Sequence, residues 1–107
     1  MIIVTTSDVP GAIITEALGL VRGSSIRARH LGRDIIAQLR NVAGGEIHEY
    51  TKMLAEAREQ AIDRMIEEAQ ALGADAVVCV RFQTSMVVSG AAEMLCYGTA
   101  VKLEHGR

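Results

Sequence analysis

The stretch Ala71-Leu72-Gly73-Ala74-Asp75-Ala76-Val77-Val78-Cys79-Val80-Arg81-Phe82 decides the fold, because the hydrophobic period changes inside it from that of a helix to that of a strand. Upstream, Ile47, Tyr50, Leu54, Ala57, Ala61, Met65, Ala69 and Leu72 follow three-and-four spacing, and neither Gly nor Pro interrupts Glu46 to Leu72. That spacing lines one stripe of a helix about 40 Å long. Gly73 stands where a helix-ending glycine belongs. Downstream, Ala76, Val78, Val80 and Phe82 alternate with Asp75, Val77, Cys79 and Arg81, which predicts a strand with one clearly apolar face.

Reading outward from this junction, Leu95, Tyr97, Thr99, Val101 and Leu103 alternate as a last strand after a Ser89-Gly90-Ala91 loop. At the other end, Met1 to Thr6 is apolar and β-branched, and Asp8, Pro10 and Gly11 supply the turn chemistry that ends a first strand. A second strand runs from about Glu16, with Gly23 a place for a bulge. Leu31, Ile35, Leu39 and Val42 change to helical spacing, and Gly44-Gly45 stops that helix. The predicted order is strand, strand, two helices, strand, strand. This is an α+β domain, a small largely antiparallel sheet with two helices on one face, in a single unit spanning 1–107 with a loose tail from Glu104 to Arg107.

Composition narrows the classes. Of 107 residues, 50% are hydrophobic, yet there are only one Phe, two Tyr and no Trp. A core of Ile, Val, Leu, Met and Ala buries little area per side chain, so other copies of the chain are expected to cover part of the apolar surface. The net charge of −2 argues against a nucleic-acid binder, which needs an excess of Lys and Arg. The longest uncharged run, Phe82 to Ala92, is far shorter than the about 18 to 20 residues of a membrane span. Cys79 and Cys96, without sequence signs of secretion, read as free thiols in a reducing cytoplasm.

Four features could carry chemistry. The long helix holds Glu46, Glu49, Glu56, Glu59, Asp63, Glu67 and Glu68 against Lys52, Arg58 and Arg64, a pattern typical of a solvated face. Arg22 to Arg40 has the opposite balance, five arginines and His30 against Asp34, and can bind an anion or pair with the acidic helix of a neighbouring copy. Interface pairing is the favoured reading. Gly44-Gly45 offers backbone N–H groups to an anion, or simply separates two helices. Cys79 and Cys96, if their strands pair with both sulfurs away from the helices, could hold a soft metal ion together with Met94. The competing reading makes both small buried hydrophobes. His30, His48 and His105 lack a nucleophile or base at a recognisable spacing, so no catalytic constellation is apparent and a non-enzymatic role is expected.

Thr5-Thr6, Gly32-Arg33-Asp34, Val42-Ala43-Gly44-Gly45, Ala57-Arg58, Leu72-Gly73-Ala74-Asp75-Ala76-Val77-Val78 and Gly98-Thr99-Ala100-Val101, in that order, make nearly the whole chain resemble the YbjQ-like family. That family carries a heavy-metal-binding label without an established activity. The resemblance implies a dodecin-like subunit that closes into a pentameric ring. It marks Arg33, Asp34, Gly44, Gly45, Tyr50 and Arg58 as binding or interface positions. Two departures stand out: Glu46 follows the double glycine where the family often has a base, and Cys79 stands where the family commonly has glycine. A metal site on acids of the third strand, which the family often has, is undercut by Arg81 and Gln83. The expectation is a cytoplasmic, ring-forming scaffold or small-ligand binder; the alternative is a soft-metal binder using Cys79 and Cys96.

Overall fold

The computed structural model describes residues 1–28, 48–88 and 91–105. Four strands and a helix succeed one another as β1 (Ile2–Ile3), β2 (Ala12–Ala28), α1 (His48–Ala71), β3 (Ala76–Val88) and β4 (Ala91–His105). The described residues hold one helix where two were expected; the first expected helix, 31–42, lies outside them. The sheet has the order β1-β3-β4-β2. It is mixed: β1 lies parallel to β3, and β4 is antiparallel to both β3 and β2.

The helix packs on one face of this sheet through Met53, Ala57, Ala61, Met65 and Ala69, all buried and spaced four apart from Met53 onward. Three of these are alanines, so the helix axis can approach the strands closely. The approach is closest over Gly23, where a Cβ would run into the Ala61 carbonyl oxygen and the Met65 amide nitrogen and come within 2.8 Å of Arg64 Cβ. Gly23 is thus the seat of the helix; the backbone there has no room for a side chain. Leu72, expected on the stripe, is instead exposed, and Leu54 is only partly covered.

The helix ends where the spacing predicts. Ala74 N–H donates to the Ala69 carbonyl and Gly73 N–H to that of Gln70, with Gly73 in the left-handed region at φ 77°. These bonds satisfy carbonyls the helix leaves open, and glycine adopts that backbone without a Cβ clash. The chain leaving the helix is then tied to β4: Lys102 Nζ donates to the Gly73 carbonyl, and the Asp75 carboxylate accepts from Leu103 N–H at 2.8 Å.

Two apolar clusters result, one on each face. Under the helix lie Val21, Val77, Val80, Met94, Cys96 and Ala100 with Ala57, Ala61, Met65 and Ala69. On the other face, Val9, Ala76, Val78 and Val101 are joined by Val4, Ala12, Ile14, Cys79 and Leu103. The segment leading to the Pro10-Gly11 turn, closed by Ala12 N–H on the Val9 carbonyl, brings Val9 into this second layer.

Period-2 alternation along β3 holds only in part. The ladder to β4 shifts between Val78 and Arg81, and Cys79 sits in that shift at φ 56°. The extra residue turns the strand over. Ala76 and Val78 therefore face away from the helix, while Val77 and Val80 both face it. The single apolar face expected from Ala76, Val78, Val80 and Phe82 is corrected accordingly. Likewise Glu104 and His105, expected in a loose tail, pair with Ile13 and Ala12 at the end of β4.

The molecule measures 57 × 24 × 15 Å along its principal axes. Its Cα radius of gyration of 17.5 Å exceeds the about 13 Å of a compact chain near this length. Long strands projecting past a two-layer body produce this shape.

Candidate functional site

The polar centre of the described residues lies where β2 emerges beside the helix. Ser25, buried, and Arg27, part-buried, point from β2 toward α1, and both donate to one oxygen of Gln60: Ser25 Oγ at 2.8 Å and Arg27 Nη2 at 3.1 Å. Burying Ser25 is tolerable because its hydroxyl finds this acceptor. Arg27 Nε is buried and has no hydrogen-bond partner among the described residues. Around the guanidinium, Ala55, Glu56, Glu59, Gln60 and Asp63 line an open groove of about 480 Å³. One cation beside three carboxylates makes a groove suited to a positively charged or mixed-charge group, such as the surface of another protein chain. Sequence reading placed Arg27 in the basic stretch and Glu56, Glu59 and Asp63 on the acidic helix, but did not single out Ser25 or Gln60. The only signal for the pair was a serine at an inward position of a strand, which becomes visible once the register is known.

The cysteines are not brought together. Cys96 lies under the helix, wholly buried, with Sγ 3.5 Å from Met65 Sδ. Burial pushes its thiol pKa up, so it stays protonated and is a poor nucleophile and a poor metal ligand. Cys79 is half-buried in the cluster on the opposite face, its N–H donating to the Thr6 carbonyl. The expected arrangement, both sulfurs on the side away from the helix, is corrected by the ladder shift at Cys79 and the inward orientation of Cys96. Met94 shares the helix side with Cys96 but accepts from Thr84 Oγ1 at 3.2 Å. Both cysteines are free thiols, and the described residues contain no group of three or more His, Cys, Asp or Glu able to hold a metal ion. This donor set does not fit a heavy-metal centre: a single protonated thiol among thioethers, packed in a closed apolar layer, supplies neither charge nor an open coordination position.

Of the other expected positions, Arg58 is exposed on α1 and Tyr50 lies in its first turn. Arg33, Asp34, Gly44 and Gly45 lie outside the described residues, and so does the Tyr50 side chain. His105 is exposed at the end of β4. No described helix is long and apolar enough to cross a membrane.

The comparisons agree with the chain's order of motifs. A family model described as "Putative heavy-metal-binding" matches residues 1–104. A UPF0145 protein of Methanosarcina acetivorans is 63% identical over 103 residues, covering 96% of this chain and 97% of that protein. A UPF0145 protein of Thermotoga maritima is 57% identical over 104 residues, covering 97% and 98%. Among solved structures, a protein of unknown function from Pediococcus pentosaceus, assigned to the DUF74 family, superposes with a TM-score of 0.63 at 18% identity. That likeness covers 97% of this chain and 98% of the other, and it shows a shared fold. By the match along almost its whole length and the identity to these relatives, the chain belongs to the YbjQ family of UPF0145 proteins.

Proposed function

We propose that this chain is a structural subunit of a closed homo-oligomeric ring in the cytoplasm, a scaffold or a holder of a small ligand between subunits rather than an enzyme. The observation that carries the reading is the apolar surface left open on a single copy. Ile13, Leu20, Ile26, Phe82 and Met86 are all exposed, on strands that project from a thin, elongated body. A soluble single chain rarely leaves so many large apolar side chains in water along one sheet, and copies of itself are the simplest cover. Five copies is the count that the family resemblance implies. The free thiols favour a reducing compartment.

Native mass spectrometry of untagged protein, purified without chelator or metal column, tests assembly and retained ligand together. A five-subunit mass without bound metal is the expected result. A single-chain mass at micromolar concentration would overturn the reading. One metal ion per subunit, lost in a Cys96→Ser variant, would make the protein a metal carrier instead.

A further inference from the structure

The two edges of the sheet differ in how they are protected. In an antiparallel ladder, residues whose N–H and C=O both turn toward one neighbour alternate with residues that turn the other way. On β2, Arg22 N–H donates to the Glu68 carboxylate at 3.3 Å, and the Ser24 carbonyl accepts from Arg64 Nη1 at 2.6 Å. Even-numbered residues of this stretch therefore face the outer edge, where side chains of α1 occupy their polar groups. Gly23, which turns toward β4, is paired with Cys96, so the next β4 residue, Leu95, turns toward β3 and its partner Gln83. By the same alternation Phe82 and Thr84 turn their N–H and C=O outward, away from β4.

Among the described residues nothing comparable guards that outer side of β3. The first segment of the chain accompanies β3 only as far as Val80: Val4 exchanges bonds with Val77 and Val80, Cys79 N–H donates to the Thr6 carbonyl, and Arg81 Nη1 donates to the Thr5 carbonyl. Among the described residues no strand lies on the outer side of Phe82–Val88, opposite β4. Two large apolar side chains stand open there, Phe82 at 44% and Met86 at 70% exposure, among the uncharged Gln83, Thr84 and Ser85. No charge or proline occurs between Arg81 and Glu93. Proteins ordinarily blunt such an edge with Lys, Pro or a covering element, because it is a template for another strand.

We propose that Phe82–Val88 of one copy pairs with the first half of β2, Ala12–Leu20, of the next copy, so that the sheet continues from subunit to subunit. This rests on the ring reading and specifies its contact. The first half of β2 is the complementary edge: it lies beyond the Arg64 and Glu68 guards and exposes Ile13 and Leu20. Direction supports the pairing as well. β2 and β3 both run antiparallel to β4, hence parallel to each other. Within one copy Phe82–Val88 lies level with Gly23–Ala28, so this pairing offsets successive copies along the strands, and a head-to-tail contact of that kind closes on itself when the strands are inclined to the ring axis. Pairing β3 with its own copy about a two-fold axis would stop at two chains and leave β2 unused.

Thr84→Pro tests the contact. It removes an outward N–H and fills the edge with a pyrrolidine ring, while the bonds of Gln83 to β4 remain. Met86→Lys is the second variant, placing a charge at an exposed position of the same edge. Circular dichroism should show both folded with the parent's helix content, and native mass spectra should shift from the ring to the single chain. If Thr84→Pro fails to fold, Met86→Lys decides. A folded variant that keeps the parent's ring mass overturns the proposal while leaving the ring intact as a reading; a parent that is itself a single chain overturns both. Oxidised Thr84→Cys protein, in a background lacking Cys79 and Cys96, that crosslinks efficiently to a second Thr84→Cys would also overturn it, because it would report two-fold pairing of β3 with β3.

Discussion

Three residues carry local demands that substitutions can read out. At Gly23 a methyl group has no space between strand and helix backbone, so Gly23→Ala must push α1 off the sheet. The expected loss is about 1–3 kcal/mol or more in urea unfolding, the range for overpacked cores. Cys79 holds φ 56° without being glycine, a conformation that costs ordinary residues about 1–2 kcal/mol and β-branched ones more. Cys79→Val should therefore destabilise by more than the volume change suggests, and Cys79→Gly should leave stability unchanged or slightly raised, checked by thermal melts of both variants. Where the family resemblance puts glycine at this position, the backbone supplies the reason. Cys96 gives a pH signature. Its folded pKa is raised by burial, so the folded and unfolded chains carry the same proton below the ordinary thiol value of about 8.5. Above it the unfolded thiol ionises first, and stability falls until the folded thiol also titrates. The decline of melting temperature from pH 8 to pH 10 should be shallower in Cys96→Ala than in the parent; equal slopes would show that the buried thiol plays no part.

At the scale of elements, α1 was legible along its described length and at its C-terminal end, since Ala57, Ala61, Met65 and Ala69 recur at helical spacing and Gly73 closes it with a left-handed turn; its expected start at Glu46 lies outside the described residues. The strands were legible as strands and not as faces. One extra residue near Cys79 reverses which side chains point at the helix, and alternation read in one dimension cannot locate a shift created by pairing. This is why the two cysteines seemed able to share a face. Arg64 and Glu68 belong to a stripe that reads as solvated charge, yet each reaches a backbone group of β2. Removing both, as Arg64→Ala with Glu68→Ala, should bare the guarded edge and raise light scattering at high protein concentration while far-ultraviolet circular dichroism stays unchanged. A doubly substituted protein as soluble as the parent would show that the guard is dispensable.

For the whole molecule, the proposed ring rests on a long thin body with open apolar strands. Arg58, exposed on the acidic helix, is a candidate for an ion pair between neighbouring copies. Arg58→Ala is expected to break the assembly into smaller species by native mass spectrometry, and an unchanged ring mass would remove Arg58 from the interface. From the sequence alone came the α+β class, the long helix, the glycine that ends it, the shortage of aromatics, and the family. These follow from local spacing and composition, which depend on neighbours a few residues away. The opposite placement of Cys79 and Cys96, the Ser25–Gln60–Arg27 bonds, the seat at Gly23 and the contrast between a guarded and an open sheet edge were decided by tertiary structure. Each depends on register and close approach between segments far apart in the chain, and a shift of one residue in pairing moves a side chain from the core to the opposite face.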